Sequence, residues 1–166
     1  MNPRSLTLLA GLALALSGLL SGNALSAAGG SDLPFKASPS GYSTLNLLTG
    51  EVHIVGSGTG THGGLTTAEE YGQAIPTGAA TFSYSGSWTG TAANGDQLFA
   101  TSTGTFTYTD ATHSTGLLSY TFTGGTGRFA NVTGVWTATV HSTRISLDGA
   151  IATDSWDATI TGRLSL

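Results

Sequence analysis

Large apolar residues recur at every second position between Thr81 and Val140, and this alternation is what most constrains the fold. Residues 81–88 read TFSYSGSW, residues 98–108 read LFATSTGTFTY, and residues 117–122 read LLSYTF. Ser or Thr fills most of the positions between. A period of two is that of a pleated strand with one buried and one solvated face. We therefore predict an all-β chain.

Turn-forming residues separate these runs and predict successive antiparallel hairpins. Ala93-Asn94-Gly95-Asp96 is the strongest hairpin signal, because Asn and Gly accept positive φ with little strain. Residues 110–116, the glycine-rich 124–127 and Asp148-Gly149 mark further turns. The predicted strands are 35–42, 51–57, 65–71, 79–91, 97–109, 116–123, 130–142 and 155–164. The run 144–147 either extends the seventh strand or forms a ninth.

A closed barrel is favoured over a two-layer sandwich. Glycines occur inside the strand patterns where a side chain is expected, at Gly86, Gly90, Gly104, Gly134 and Gly162. Glycine there permits sharp coiling or a bulge, and closure removes the exposed edges of the sheet. We predict a single eight-stranded antiparallel β-barrel, whose interior is wide enough for packed side chains or one small ligand.

The first 27 residues are predicted to be a cleaved export signal. Arg4 gives the positive start, residues 6–20 are an apolar stretch of about 15 residues, and residues 24–28 are small enough for cleavage. A membrane-spanning helix needs roughly 20 apolar residues, so an anchor is disfavoured. The predicted organisation is a signal peptide at 1–27, a short tether at 28–40 and the barrel at 41–166. The protein is expected to be secreted or periplasmic, with no membrane association after cleavage.

The composition excludes several classes of function. Charged residues make up 8% of the chain, five Lys and Arg stand against nine Asp and Glu, and Cys is absent. No basic patch exists, so nucleic acid is not an expected partner. The lack of Cys removes disulfides, thiolate nucleophiles and Cys-based zinc sites. We expect no cofactor.

Strand parity assigns a group of aromatic side chains to the barrel interior. Buried Tyr and Trp usually find a partner for their O–H or N–H. Such an interior is either a filled core or a cavity for a small hydrophobic ligand with one or two polar contacts. The candidate ligand-binding residues are Tyr84, Trp88, Phe106, Tyr108, Tyr120, Trp136 and Trp156. Parity assigns almost no ionisable group to the interior, so no catalytic residue is predicted.

The remaining polar side chains are predicted to be structural or solvated. Glu51 and His53 share a strand face that we expect to be exposed. The four histidines match no metal-ligand spacing, so no metal site is predicted. Asp154 and Asp157 lie on opposite faces of one strand, with Asp154 at the barrel rim, so they do not form the facing pair of a glycosidase.

The segment 123–134, TGGTGRFANVTG, resembles a signature of the allene oxide cyclase and dirigent-protein barrels. Those families carry a Gly-Gly-Thr/Ser-Gly turn, a basic or other residue, Phe, then a small residue and a Gly just before the next strand. Residues 91–98 and Gly60-Thr61-His62 are similar to elements of small secreted bacterial proteins of that type. The resemblance covers roughly residues 56–166 and implies an eight-stranded barrel with an axial cavity. It assigns no catalytic residue to this sequence.

Three functions remain as hypotheses. The favoured one is non-catalytic binding of a small hydrophobic ligand, or a passive envelope or matrix role. The first alternative is a cofactor-free isomerase or cyclase of the allene oxide cyclase or dirigent type, which holds a reactive substrate in one conformer. The second is a surface module that binds carbohydrate or protein through exposed aromatic residues. The sequence leaves the oligomeric state open.

Overall fold

The computed structural model describes residues 32–62 and 64–166. The predicted signal peptide and the first residues of the predicted tether lie outside this part. No helix in these two ranges is long and apolar enough to cross a membrane. The described elements are β1 (Leu33–Ala37), β2 (Ser40–Asn46), β3 (Glu51–Gly60), β4 (Gly64–Pro76), β5 (Thr81–Ala92), β6 (Gln97–Tyr108), β7 (His113–Gly125), the 3₁₀ turn η1 (Gly127–Phe129), β8 (Thr133–Asp148) and β9 (Ile151–Ser165).

All nine strands belong to one antiparallel sheet that closes into a ring. Each strand from β2 to β8 pairs with the next in sequence, and β9 returns to pair with β2. β1 pairs with the end of β9, with Leu33 opposite Leu164. β2 pairs with the start of β9, with Leu45 opposite Ala152. β1 and β2 therefore lie end to end along β9 and together take the place of one strand in the ring.

The all-β, antiparallel prediction is confirmed, but residues 32–62 and 64–166 form nine strands rather than eight. The segment 35–42 was predicted as one strand and is divided between β1 and β2. Pro39 lies in the gap, and its missing N–H cannot continue a hydrogen-bonded ladder. β1 begins at Leu33, inside the segment predicted to be a tether. The run 144–147 belongs to β8, which continues to Asp148.

Glycine in left-handed backbone occupies three of the predicted turns. Gly95 has φ 88°, Gly127 has φ 53° and Gly149 has φ 58°. The loop at 93–96 is closed by a 2.9 Å bond from the Ala92 N–H to the Asp96 carbonyl. Only the glycine of the Asn94-Gly95 pair has positive φ, so this loop differs from a two-residue type I′ turn.

The inward faces of the strands form the core, as strand parity predicts. Trp136 lies at its centre, 3% exposed, and its ring packs against Phe35, Trp88, Tyr120 and Phe122. Burying one large apolar side chain contributes about 1.5–3 kcal/mol. The other buried hydrophobic residues of this cluster are Tyr84, Ala92, Leu98, Ala100, Leu118, Phe129, Val132, Ala138, Val140, Ala158 and Leu164.

Candidate functional site inside the ring

Two small cavities lie inside the ring. The first has a volume of about 80 Å³ and the second about 70 Å³. Ile54 and Trp156 line both of them. A single water needs about 10–15 Å³, whereas pockets for drug-sized ligands measure about 300–1,000 Å³. Each cavity therefore has room for a few waters or for a ligand of few heavy atoms.

All seven predicted ligand-binding residues have their side chains on the inner side of the ring. They divide between the two cavities and the layer of side chains that separates them. Tyr84, Phe106, Tyr108 and Trp156 line the first cavity, Trp88, Trp136 and Trp156 line the second, and Tyr120 lies in the separating layer. The structure thus brings these residues together, and their contact with a ligand remains a prediction.

The separating layer is built around Glu70 of β4, which is 2% exposed. The Tyr84 hydroxyl donates to Oε1 at 3.0 Å, the Tyr120 hydroxyl donates to Oε2 at 2.9 Å, and the Ser102 hydroxyl also donates to Oε1. We call these four residues the carboxyl cluster. Glu70 also lines the second cavity. The prediction that the interior holds almost no ionisable group is therefore wrong.

Burial raises the pKa of the Glu70 carboxyl above its ordinary value. The three hydroxyl donors oppose this change because they stabilise the carboxylate, but the loss of hydration outweighs them. Burial and the neighbouring Glu70 carboxyl raise the pKa of Tyr84 and of Tyr120. Both phenols therefore stay protonated and act as donors. The interior holds a carboxyl that retains its proton to higher pH than an exposed glutamate does.

Glycine makes room for the carboxyl cluster. Gly72 of β4 and Gly86 of β5 are direct cross-strand partners. A Cβ on Gly72 would collide with the Tyr84 hydroxyl, and one on Gly86 would come within 2.8 Å of Glu70 Oε1. The sequence could have indicated this cluster through the small residues Ala68, Gly72 and Ala74, which share the inner face of β4 with Glu70. That run leaves space for polar side chains to enter from other strands.

Two buried indole groups near the second cavity lack a hydrogen-bond acceptor. Trp136 Nε1 and Trp156 Nε1 are both buried, and neither donates to any residue that the structure describes. Both tryptophans line the second cavity. A buried donor without an acceptor costs about 1–3 kcal/mol. This part of the interior therefore favours a molecule that offers an acceptor oxygen or nitrogen.

A second ionic group lies at the first cavity. Arg144 Nε donates to Asp154 Oδ1, and Arg144 Nη2 donates to the Tyr108 hydroxyl at 2.7 Å. The two charged side chains are only 13% and 11% exposed. Asp154 lines the cavity, whereas Asp157 is exposed, so the prediction that these carboxylates lie on opposite faces of β9 is confirmed.

The other residues considered in the sequence lie on the outside of the ring. Glu51 is exposed, and half-exposed His53 pairs with Glu69, with 2.9 Å between Nε2 and Oε1. His62, His113 and His141 are exposed. Within residues 32–62 and 64–166 there is no group of three or more His, Cys, Asp or Glu placed to hold a metal ion.

Comparison with known proteins adds no relative. No protein-family model matches the sequence, and searches of curated proteins and of solved structures find no match. The resemblance of residues 123–134 to the allene oxide cyclase and dirigent barrels therefore remains a prediction.

Proposed function

We propose that the protein is an exported β-barrel of the allene oxide cyclase and dirigent-like kind that binds a small, mostly apolar molecule in its interior. The observation that carries this proposal is that Trp136 and Trp156, which both line the second cavity, have buried indole N–H groups without an acceptor among the described residues. Closure of the sheet into a ring supports the barrel. Recognition by shape and by two donors needs no catalytic residue.

The cavity restricts the chemistry of the ligand. A volume of about 70 Å³ admits few heavy atoms, and most of its walls are aromatic or aliphatic. A carbonyl, ether or ester oxygen would accept from the indole N–H groups and remove the cost of leaving them unpaired. A small cyclic ketone, ether or lactone meets both conditions.

Native mass spectrometry of protein purified from its own host tests the proposal first, because a tightly held ligand co-purifies. Titration with cyclohexanone and with cyclohexane then separates hydrogen bonding from simple filling of the cavity. We expect cyclohexanone to shift the indole N–H resonances of Trp136 and Trp156 in ¹⁵N-edited NMR spectra, and cyclohexane to leave them near their original positions.

Single Trp→Phe variants provide the matched control for that titration. Trp136→Phe and Trp156→Phe remove a donor and should weaken cyclohexanone binding. Trp88→Phe changes a tryptophan of the same cavity whose N–H is not one of the unpaired buried groups, so it should have a smaller effect. Absence of both a co-purified ligand and a ketone-induced shift would instead favour the passive envelope or matrix role.

A second candidate function is catalysis by a cofactor-free isomerase or cyclase in the same interior, and Glu70 is the observation that favours it. Glu70 lines the second cavity and its carboxyl retains its proton to raised pH, which suits a general acid. If Glu70 converts the ligand, Glu70→Gln protein should carry the unconverted isomer, of equal mass but different chromatographic retention. An identical ligand in both proteins would exclude that role.

A further inference from the structure

A groove of about 810 Å³ crosses the outside of the ring. Its volume falls in the range of about 300–1,000 Å³ that is usual for binding sites, unlike the two interior cavities. The groove extends across six adjacent strands, β9, β2, β3, β4, β5 and β6. At about 4.8 Å between neighbouring strands it spans roughly 24 Å along the sheet, which is long enough for an extended chain molecule.

Two cross-strand rows of outward-facing side chains form the walls of this outer groove. Strand pairing aligns one row as Thr44, His53, Tyr71, Ser87 and Thr101. It aligns the other as Glu51, Gln73, Ser85 and Thr103. The intervening row is Val52, Gly72, Gly86 and Ser102, whose inward orientation leaves the main chain as the floor.

The glycine pair Gly72 and Gly86 lies in the floor of the outer groove. Gly72 and Gly86 lie directly over the carboxyl cluster, close to the Tyr84 hydroxyl. Glycine permits this close approach of the backbone to a neighbouring group. At these two positions the main chain alone separates the carboxyl cluster from the outer groove.

The lining is rich in uncharged hydrogen-bonding groups. Side chains that bear a hydroxyl or an amide are the most numerous ones in the lining; among the residues that the structure describes, no Lys or Arg lines the groove and Glu51 is its one carboxylate. The lack of cations and the presence of Glu51 disfavour phosphates, nucleic acids and acidic polymers. Among the described lining residues the outward-facing apolar side chains are limited to Ile151 besides Tyr71, which disfavours a lipid or a hydrophobic peptide.

Tyr71 supplies one exposed aromatic surface within this polar lining. It is 58% exposed. Its ring stacks on His53, with centroids 4.3 Å apart and planes 6° from parallel, and its hydroxyl donates to Glu69 at 2.6 Å. These contacts fix the ring before any ligand arrives, which lowers the entropic cost of binding. A sugar ring presents C–H groups on its face and hydroxyls at its edge, and this pattern matches Tyr71 and its neighbours.

We propose that the outer groove binds a neutral oligosaccharide. One sugar ring stacks on Tyr71, and its hydroxyls exchange hydrogen bonds with the two rows of Ser, Thr, Gln and Glu side chains. The site is separate from the interior cavities and does not depend on the function proposed for them.

Isothermal titration with cellohexaose, xylohexaose, mannohexaose and laminarihexaose tests this proposal, with hexagalacturonate as the acidic comparison. We expect at least one neutral hexasaccharide to bind and hexagalacturonate to bind more weakly. Loss of one aromatic stacking contact corresponds to about 3- to 10-fold in affinity, which is the loss expected for Tyr71→Ala. Tyr71→Phe should retain most of the binding, because the stacking ring remains.

Two controls keep this test independent of folding. Tyr42 is also an outward-facing tyrosine, 58% exposed, but it does not line the outer groove, so Tyr42→Ala should leave affinity unchanged. Thr101→Val removes a lining hydroxyl at almost constant volume and should weaken binding, whereas Thr105→Val on the same strand should not. Failure of every neutral sugar to bind, tighter binding of hexagalacturonate, or equal effects of the Tyr71 and Tyr42 variants would overturn the proposal.

Discussion

Replacing Glu70 by Gln tests whether the interior carboxyl is held in its protonated form. A carboxyl whose pKa is higher in the folded than in the unfolded state binds its proton more tightly when folded. Raising the pH through that interval therefore lowers the free energy of unfolding. Glu70 is such a carboxyl: its pKa is raised in the folded state, because desolvation outweighs its three hydrogen bonds. For a single proton the limiting slope is about −1.4 kcal/mol per pH unit.

The Gln variant removes this contribution because an amide does not titrate. Wild-type protein should lose stability as the pH rises above about 4.3, the ordinary pKa of a glutamate in an unfolded chain, and should stop losing it above the raised pKa of the folded state. Glu70→Gln should lose less over the same interval. The free energy of unfolding of Glu70→Gln, relative to that of the wild type, should therefore increase with pH across this interval.

Urea denaturation followed by tryptophan fluorescence at a series of pH values measures this difference. Glu69→Gln is the matched control, since Glu69 is the exposed neighbour on the same strand. Hydrogen bonds from Tyr71 and His53 lower the pKa of Glu69, so its contribution is present above the unfolded-state pKa and is lost as the pH falls. The two variants should change the pH slope in opposite directions. Equal slopes for wild type and Glu70→Gln would refute a protonated interior carboxyl.

Three further changes probe the packing of the ring, each measured as a free energy of unfolding in urea. Gly86→Ala inserts a methyl group into the carboxyl cluster and should cost about 1–3 kcal/mol, with a lower midpoint. Arg144→Met leaves the buried Asp154 carboxylate unpaired and should cost about 3–5 kcal/mol, whereas Arg144→Met with Asp154→Leu should recover most of that loss. Leu164→Ala should cost about 2–5 kcal/mol, because this side chain is 2% exposed, while Leu48→Ala, at 84% exposed, should stay within about 0.5 kcal/mol. Equal effects of the two leucine changes would contradict the assigned core.

The sequence predicted the inner face of the sheet well because apolar alternation is a local signal. Phe82, Tyr84 and Trp88 share a side on the basis of spacing alone, and Phe129 returns to the core after its glycine turn, where it is 1% exposed. The division between β1 and β2 was missed, since the pattern of residues 35–42 carries on through Pro39. A proline at this position is compatible both with a continuous edge strand and with a break between two strands.

The carboxyl cluster was not predictable from strand patterns, because its members come from strands remote in sequence. Tyr120 lies 50 residues from Glu70, and Ser102 lies 32 residues from it. Parity assigns a direction to each side chain but does not show which polar groups meet across the ring. The unpaired N–H groups of Trp136 and Trp156 depend on the same long-range distances. Candidate residues could be named from the sequence, and their environment required the structure.

The pairing of β1 and β2 with β9 has a consequence for how this chain reaches its final form. β2 can pair with the neighbouring β3 early, but β1 and β2 also pair with β9, the last strand, and the Arg163 side chain donates to Asp32 across 131 residues. Hairpins between neighbouring strands can form in order along the polypeptide. The pairing of β1 and β2 with β9, which closes the ring, can form only after β9 has been synthesised. Until then the sheet has two unpaired edges, and contacts of such long sequence separation form slowly. Truncation at either end would leave those edges available to other chains.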